Sequence, residues 1–213
     1  MRHFNLIHTL IFVASLTITG TAHSEVVVTD PVTTSSIPKA TTTAKKPGKV
    51  RLSRAEKLDE LFGELKREPN FGKAKRLASR ISISWAISGS ATANALMVWA
   101  QQAMRDGRNS DAMELLDQVI VLLPDYAEGW NRRATLHYMM KNYVKSMADI
   151  EQTLALEPRH FGALVGMATI LSAIGEDDKA LEVYERVLSI YPANRNAQAS
   201  MIKIMQKLEK SEI

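Results

Sequence analysis

Three short stretches, LLPDYAEGW at 122–130, LEPRHFGAL at 156–164 and IYPANRNAQ at 190–198, decide how this chain folds. Their prolines, Pro124, Pro158 and Pro192, are evenly spaced. A fixed period of about 34 residues is the mark of a solenoid built from helical hairpins, each of which buries its apolar face only by stacking on a neighbour. Setting each proline at position 32 gives the frames 93–126, 127–160 and 161–194. Position 8 then reads Ala100, Ala134 and Ala168, and position 20 reads Ala112, Ser146 and Ala180. Small residues at both places let the two helices of a hairpin cross closely. Position 24 is large and apolar throughout (Leu116, Ile150, Tyr184), and position 27 follows with Val119, Thr153 beside Leu154, and Val187. Leu96, Trp130 and Leu164 share position 4, one turn from Trp99 and Met167. Gly107 and Gly175 suit the left-handed residue that ends a first helix, a place Asn142 is expected to serve in the middle frame.

On these residues, 93–194 resembles the tetratricopeptide repeat (TPR) family, whose motif is a Trp, Leu, small, Tyr pattern followed by Ala, an aromatic and Pro. The resemblance covers about half the chain. The middle repeat departs from the pattern, with Arg133 where Leu is usual and His137 where Tyr is usual. The family implies an all-α, right-handed solenoid of three helix pairs with a concave face that holds peptides. Carried over position by position, that face would present Asn94, Met97, Gln101, Met104 and Arg105 from the first repeat. From the second it would present Glu128, Asn131, Arg132, Thr135, Tyr138 and Met139, and from the third Gly162, Val165, Thr169, Ser172 and Ala173. The Lys/Asn/Arg set with which some members clamp a terminal carboxylate is not reproduced, since Met97 replaces its first Lys. A groove filled by the chain's own N-terminal pair or C-terminal helix is the alternative.

Helices are expected on both sides of the repeats. Ser53 with Glu56 has capping-box spacing and opens a helix to Glu68, with Leu58, Leu61, Phe62 and Leu65 on one side. After the break at Glu68-Pro69-Asn70 a second helix runs to about Ser88, carrying Leu77, Ala78, Ile81 and Trp85 on one face. This pair, within 52–92, is read as a divergent hairpin covering the N-terminal end of the solenoid. Residues 195–213 read as a capping helix. Ala197, Met201, Ile204, Met205 and Leu208 form its apolar face, and Lys203, Lys207 and Lys210 turn outward.

The front of the chain has a different character. Residues 1–24 place Arg2 ahead of an apolar run from Leu6 to Ile18 and end in Ala22-His23-Ser24, the form of a cleaved secretory signal. That run is too short for a bilayer span of about 20 residues. Residues 25–51 are rich in Thr, Ser, Pro and Lys and read as a disordered tether. A periplasmic location is therefore expected, and the absence of cysteine removes disulfides as a source of stability.

Charge is divided unevenly. Residues 25–90 hold 13 Lys or Arg against 7 Asp or Glu, whereas residues 91–213 hold 13 against 16. The basic front end could make weak contact with an anionic surface. The net acidic repeats argue against nucleic acid as a partner. Catalysis is disfavoured on inventory. Beyond the leader only His137 and His160 remain, read as lying in separate loops or turns, with no metal-ligand spacing and no phosphate loop. Gly162 and Gly166 are read as aids to close packing, and the acids at 176–178 as a helix start favoured by the dipole. The expected function is non-enzymatic binding of a peptide segment of an envelope protein, with no cofactor and no metal. The alternatives are a holdase for many clients and a cytosolic secretion chaperone.

Overall fold

The computed structural model describes residues 52–211; the expected leader and tether lie outside them. Every regular element among the described residues is a helix: α1 (Arg54–Arg67), α2 (Phe71–Ala86), α3 (Ala91–Arg105), α4 (Asn109–Leu122), α5 (Ala127–Met139), α6 (Tyr143–Leu156), α7 (Phe161–Ala173), α8 (Asp177–Ile190) and α9 (Arg195–Ser211). Three hairpins, α3–α4, α5–α6 and α7–α8, each stack on the next through α4–α5 and α6–α7, and α9 stacks on α8.

The small residues do what the spacing predicts. Ala100, Ala112, Ala134, Ala168 and Ala180 are buried at the helix crossings. In the middle hairpin Ser146 takes the place of Ala, and its hydroxyl donates to the Ala134 carbonyl at 2.8 Å, so the polar atom is satisfied within the crossing. Large side chains fill the space between layers, with Leu116, Val119, Leu136, Leu164, Ile170 and Val187 all essentially inaccessible.

The three hairpin turns are built alike. The amides of Arg108, Asn142 and Glu176 donate to the carbonyls of Ala103, His137 and Leu171 at 2.8–2.9 Å, the wide bond of a Schellman turn. Such a turn needs one left-handed residue. Gly107 (φ 73°) and Gly175 (φ 87°) supply it in the outer repeats. In the middle repeat it is Lys141 at φ 59°, not Asn142, whose φ of −83° places it at the start of α6. Lysine bears a steric cost there that glycine does not.

Glycines elsewhere reverse one expectation. A Cβ on Gly162 or Gly166 would find nothing nearer than 3.4 Å, so neither is required by close packing within the chain. Among the described residues, Gly129 is. A Cβ there would stand 3.0 Å from Val119 and 3.3 Å from the Tyr126 ring.

The flanking hairpin forms as expected. Ser53 and Glu56 make the full capping box, and Asn70 caps α2 through the Lys73 amide. Its position is not the expected one. Rather than covering the first repeat, α2 runs back along the row of loops that join the repeats. Phe71 lies 4.2 Å under the Arg195 guanidinium, Trp85 stacks on His160 at 4.1 Å and meets Phe161 at 5.0 Å, and the Ala86 carbonyl accepts from the Tyr126 hydroxyl at 2.8 Å. Helix α1 reaches the same loops through Arg159, which pairs with Asp59 at 2.7 Å and lies over the Phe62 ring at 4.2 Å. The cause is apolar matching. Tyr191, Phe161 and Ile190 lie along those loops and join Leu61, Phe62, Leu65, Leu77, Ile81 and Trp85 in one core cluster. The outer face of α3 is left open, with Trp99 59% exposed.

Helix α9 buries Ala197 and Ile204 and half-buries Met201 and Leu208. Met205, expected on that face, is half exposed, and Lys207 is exposed as expected while its ammonium reaches Asp177 at 2.5 Å.

Candidate functional site

The first helices of the repeats, α3, α5 and α7, carry the candidate groove residues, and the structure divides them into two groups. One group is bound up in the fold. Glu128 is buried, 8% exposed, although it stands at a groove position. Its carboxylate accepts from Asn131 at 2.9 Å, from Arg132 at 2.7 Å and from His160 Nε2 at 3.1 Å. His160 caps α7, its Nδ1 accepting the Ala163 amide at 3.0 Å, so the neutral ring carries its proton on Nε2 and donates it to Glu128. Arg132 extends the network to Gln101 of the first repeat at 2.5 Å. Gln101, Glu128, Asn131 and Arg132 thus come together as a brace between repeats, with Glu128 withdrawn from the surface. Burial favours the neutral acid at Glu128, yet the His160 hydrogen bond and the Arg132 charge outweigh it and hold the carboxyl below its ordinary range.

Asn94 is also engaged, accepting from the Ser88 amide and hydroxyl at 3.1 and 2.8 Å and fixing the α2–α3 link. Met97 and Val165 are half-buried against the cores of their own repeats.

The second group remains accessible. Thr135 is exposed, and Thr169 is half-buried; each hydroxyl donates back to its own helix, to the Asn131 and Val165 carbonyls. Tyr138 (39% exposed) lies 5.8 Å from the Tyr143 ring, and Met139 is half exposed beside it. Arg105 is exposed and donates to Gln102. These residues offer hydroxyls, an aromatic edge, a thioether and positive charge, and Glu128, the acid among the candidate positions, is buried and already neutralised.

The departures from the repeat pattern proved to be one structure. Arg133 grips Asp149 through Nε and Nη2 at 2.8 and 2.7 Å and reaches Asp117 of the preceding repeat through Nη1 at 2.7 Å. His137 lies inside α5, not in a loop, with Nε2 3.9 Å from Asp149 and Nδ1 without a partner among the described residues. Burial, aided by Arg133 and opposed by Asp149, lowers its pKa and keeps the ring neutral. An Asp at position 23, in the same repeat as an Arg at position 7, was the available signal for this network. At the loop edge the Tyr126 phenol is pushed up to about 12, mainly by burial and by the Glu128 charge. Asp177, which opens α8, is held low by Lys207 and Ser172. Among the described residues no group of three His or carboxylate side chains is placed to hold a metal ion, and no single helix is long and apolar enough to cross a membrane.

No protein-family model matches the chain. It is 54% identical over 153 residues to a TPR repeat-containing protein of Rhizobium etli, covering 72% of this chain and 75% of that one. It is 27% identical over 124 residues to the small glutamine-rich tetratricopeptide repeat-containing protein 2 of Saccharomyces cerevisiae, covering 55% of this chain and 36% of the relative. Among solved structures it resembles the first TPR of Spaghetti (RPAP3) bound to an HSP90 peptide. There the TM-score is 0.53 and the identity 22%, over 55% of this chain and 94% of that one. The TPR2B domain of yeast Sti1 in complex with an Hsp70 peptide gives a TM-score of 0.52 at 18% identity, over 55% and 99%. The chain belongs to the tetratricopeptide repeat family, as an all-α solenoid of helix pairs.

Proposed function

We propose that this protein is a non-enzymatic adaptor that holds an extended segment of a partner protein against α3, α5 and α7. The observation that carries the reading is the placement of the flanking helices. Helix α2 is committed to the loop edge and α9 to α8, while Thr135, Tyr138, Met139 and Arg105 stay accessible. Related folds that hold HSP90 and Hsp70 peptides support the class of ligand. Methionine and tyrosine adapt to varied apolar side chains, and hydroxyls and a guanidinium meet a peptide backbone or carboxylate. Affinities near micromolar, about −8 kcal/mol, suit reversible assembly.

The leader-like 1–24 and the basic 25–51 support a setting in the bacterial envelope, with the partner an envelope protein and the tether setting reach or weak anionic contact. Affinity capture from envelope extracts, with the mature N-terminus sequenced in the same sample, tests both parts. The reading requires a partner that is lost from Thr135→Ala/Tyr138→Ala with helicity unchanged, and an N-terminus at Glu25. Capture unaffected by that pair removes the groove reading. An intact Met1 in the cytosol removes the envelope.

A further inference from the structure

Arginines of the repeats are mostly neutralised. Arg108 pairs with Asp106 and Asp111, Arg132 with Glu128, Arg133 with Asp117 and Asp149, and Arg159 with Asp59 and Glu157. Arg195, just past the last frame, is held differently. Its guanidinium is seated on the face of Phe71 at 4.2 Å, held by an aromatic ring in place of a carboxylate. It forms one wall of a cavity of about 530 Å³ between α2 and the start of α9, and Lys75 forms part of another. Ser79, Ser82 and Asn196 add hydroxyl and amide groups, and no acidic residue among the described ones lines the space. Among the described residues neither cation has a carboxylate partner.

The cavity's place in the repeat register gives it a use. Asn94, Glu128 and Gly162 hold the same position in the three successive frames, and Asn196 falls at that position one repeat further on. It continues that row, which runs along the loop edge of α3, α5 and α7, into α9. The far wall is α2, which is not part of any repeat, so this combination of groups arises only from the hairpin's position along the loops.

We infer that the α2–α9 cavity is an anion subsite at the end of the groove, in which Lys75 and Arg195 together receive a carboxylate from an acidic stretch of the bound partner segment. The inference rests on the groove reading for its occupant and extends it to the kind of sequence taken: a segment whose one end is acidic. Two cations on different walls, with uncharged residues around them, attract a carboxylate without a competing acid to displace, and a seated guanidinium loses little freedom on binding. The selectivity is set outside the repeat positions that peptide-binding relatives would use, by a helix those repeats do not supply.

Zero-length carbodiimide coupling tests this on the full-length protein, because it joins only a carboxylate and an amine already in contact. The probe is hexaglutamate, with hexaglutamine as the neutral counterpart, and adducts are mapped by tryptic mass spectrometry. Lys75 is expected to be the dominant adduct, well above Lys73 on the same helix and above Lys45, Lys46 and Lys49. Arg195→Gln should lower its yield by about tenfold, the scale of one charge-assisted hydrogen bond. Arg195→Lys, which keeps the charge if the seat on Phe71 is disturbed, should largely retain it, and Arg186→Gln on α8 should leave it unchanged. Adducts shared evenly among exposed lysines, or a Lys75 yield indifferent to Arg195→Gln, overturn the subsite and leave the groove reading in place. Suppression by inorganic phosphate at concentrations equal to the peptide's assigns the cavity to small free anions and overturns the peptide assignment. If instead Tyr138→Ala abolishes no partner capture while the Lys75 adduct persists, the groove reading fails and the subsite stands alone.

Discussion

The imidazole of His160 lies flat on the indole of Trp85, ring centroids 4.1 Å apart and planes 16° from parallel. This contact fastens a hairpin outside the repeats to the boundary between the second and third of them. The same imidazole caps α7 and donates to Glu128, so one residue ties the hairpin, the third repeat and the inter-repeat brace together.

Trp85→Ala should therefore do more than open a cavity. Loss of a buried Trp costs about 3–5 kcal/mol, and here it also frees α1–α2 from the loop edge. Chemical denaturation should show that loss, and limited proteolysis should cut first near 68–90. A single cooperative transition with the hairpin still protected would mean that Arg159–Asp59 and Arg195–Phe71 suffice to hold it.

The polar network in the middle repeat makes a signed prediction. Arg133→Leu restores the pattern residue but strands Asp149 (6% exposed side chain) without its partner, which should cost about 3–5 kcal/mol. Arg133→Leu, His137→Tyr and Asp149→Ala together replace the network with apolar packing and should recover that loss or exceed the parent. Urea midpoints of the single and triple variants decide it; a harmless single Arg133→Leu would contradict the account.

Stability should fall in two separable steps as the solution is acidified. His137 has its pKa lowered from the ordinary 6.5 by burial, so the unfolded chain binds this proton first. Its contribution is complete above pH 6.5, declines as pH falls through that value and levels off below the folded pKa. Glu128 is held below its ordinary 4.5, so its contribution is present above that value and is lost as pH falls through the folded pKa. Denaturation midpoints from about pH 8 to about pH 3 should show both steps, and His137→Gln should remove the upper one while sparing the lower. A profile unchanged in that variant would exclude His137 as the source.

Backbone positions offer opposite signs within one fold. Lys141→Gly relieves a left-handed lysine and should stabilise by about 1 kcal/mol. Gly166→Ala meets only ordinary contact with Ile150 at 3.5 Å and should stabilise by about 0.5–1 kcal/mol. Gly129→Ala must push against Val119 and the Tyr126 ring and should destabilise by about 1–3 kcal/mol, as should Ala112→Leu at its buried crossing. Thermal melts of the four variants check the signs; a stabilising Gly129→Ala would refute the close approach of α4 and α5.

The repeat core was legible because stacking imposes the same steric demand once in every repeat. Ala100, Ala134 and Ala168 must be small for one local reason, so a single chain prints that reason three times. The capping box at Ser53 was legible for a similar reason, since both partners lie within one turn. The hairpin's seat was not. Trp85 meets His160 from across two whole repeats of intervening sequence, and nothing in either residue's local pattern names the other. Glu128 shows the matching limit within the site. Its register assigns it to the groove, but a His at the far end of the same frame and an Arg one turn later take its carboxylate inward. Lys141 marks a third limit, where the turn geometry prevailed over the residue's own preference and Asn142, the better left-handed residue, was used to start α6.

Photo-crosslinking in intact cells, from a reactive residue placed at Thr135 on α5 and, for comparison, at Lys179 on α8, tests the central claim most directly. The account predicts a discrete protein adduct from position 135 that disappears with Tyr138→Ala and is absent from position 179. Equal adducts from both positions, or none from 135 in a folded protein, would contradict a partner-binding groove on α3, α5 and α7.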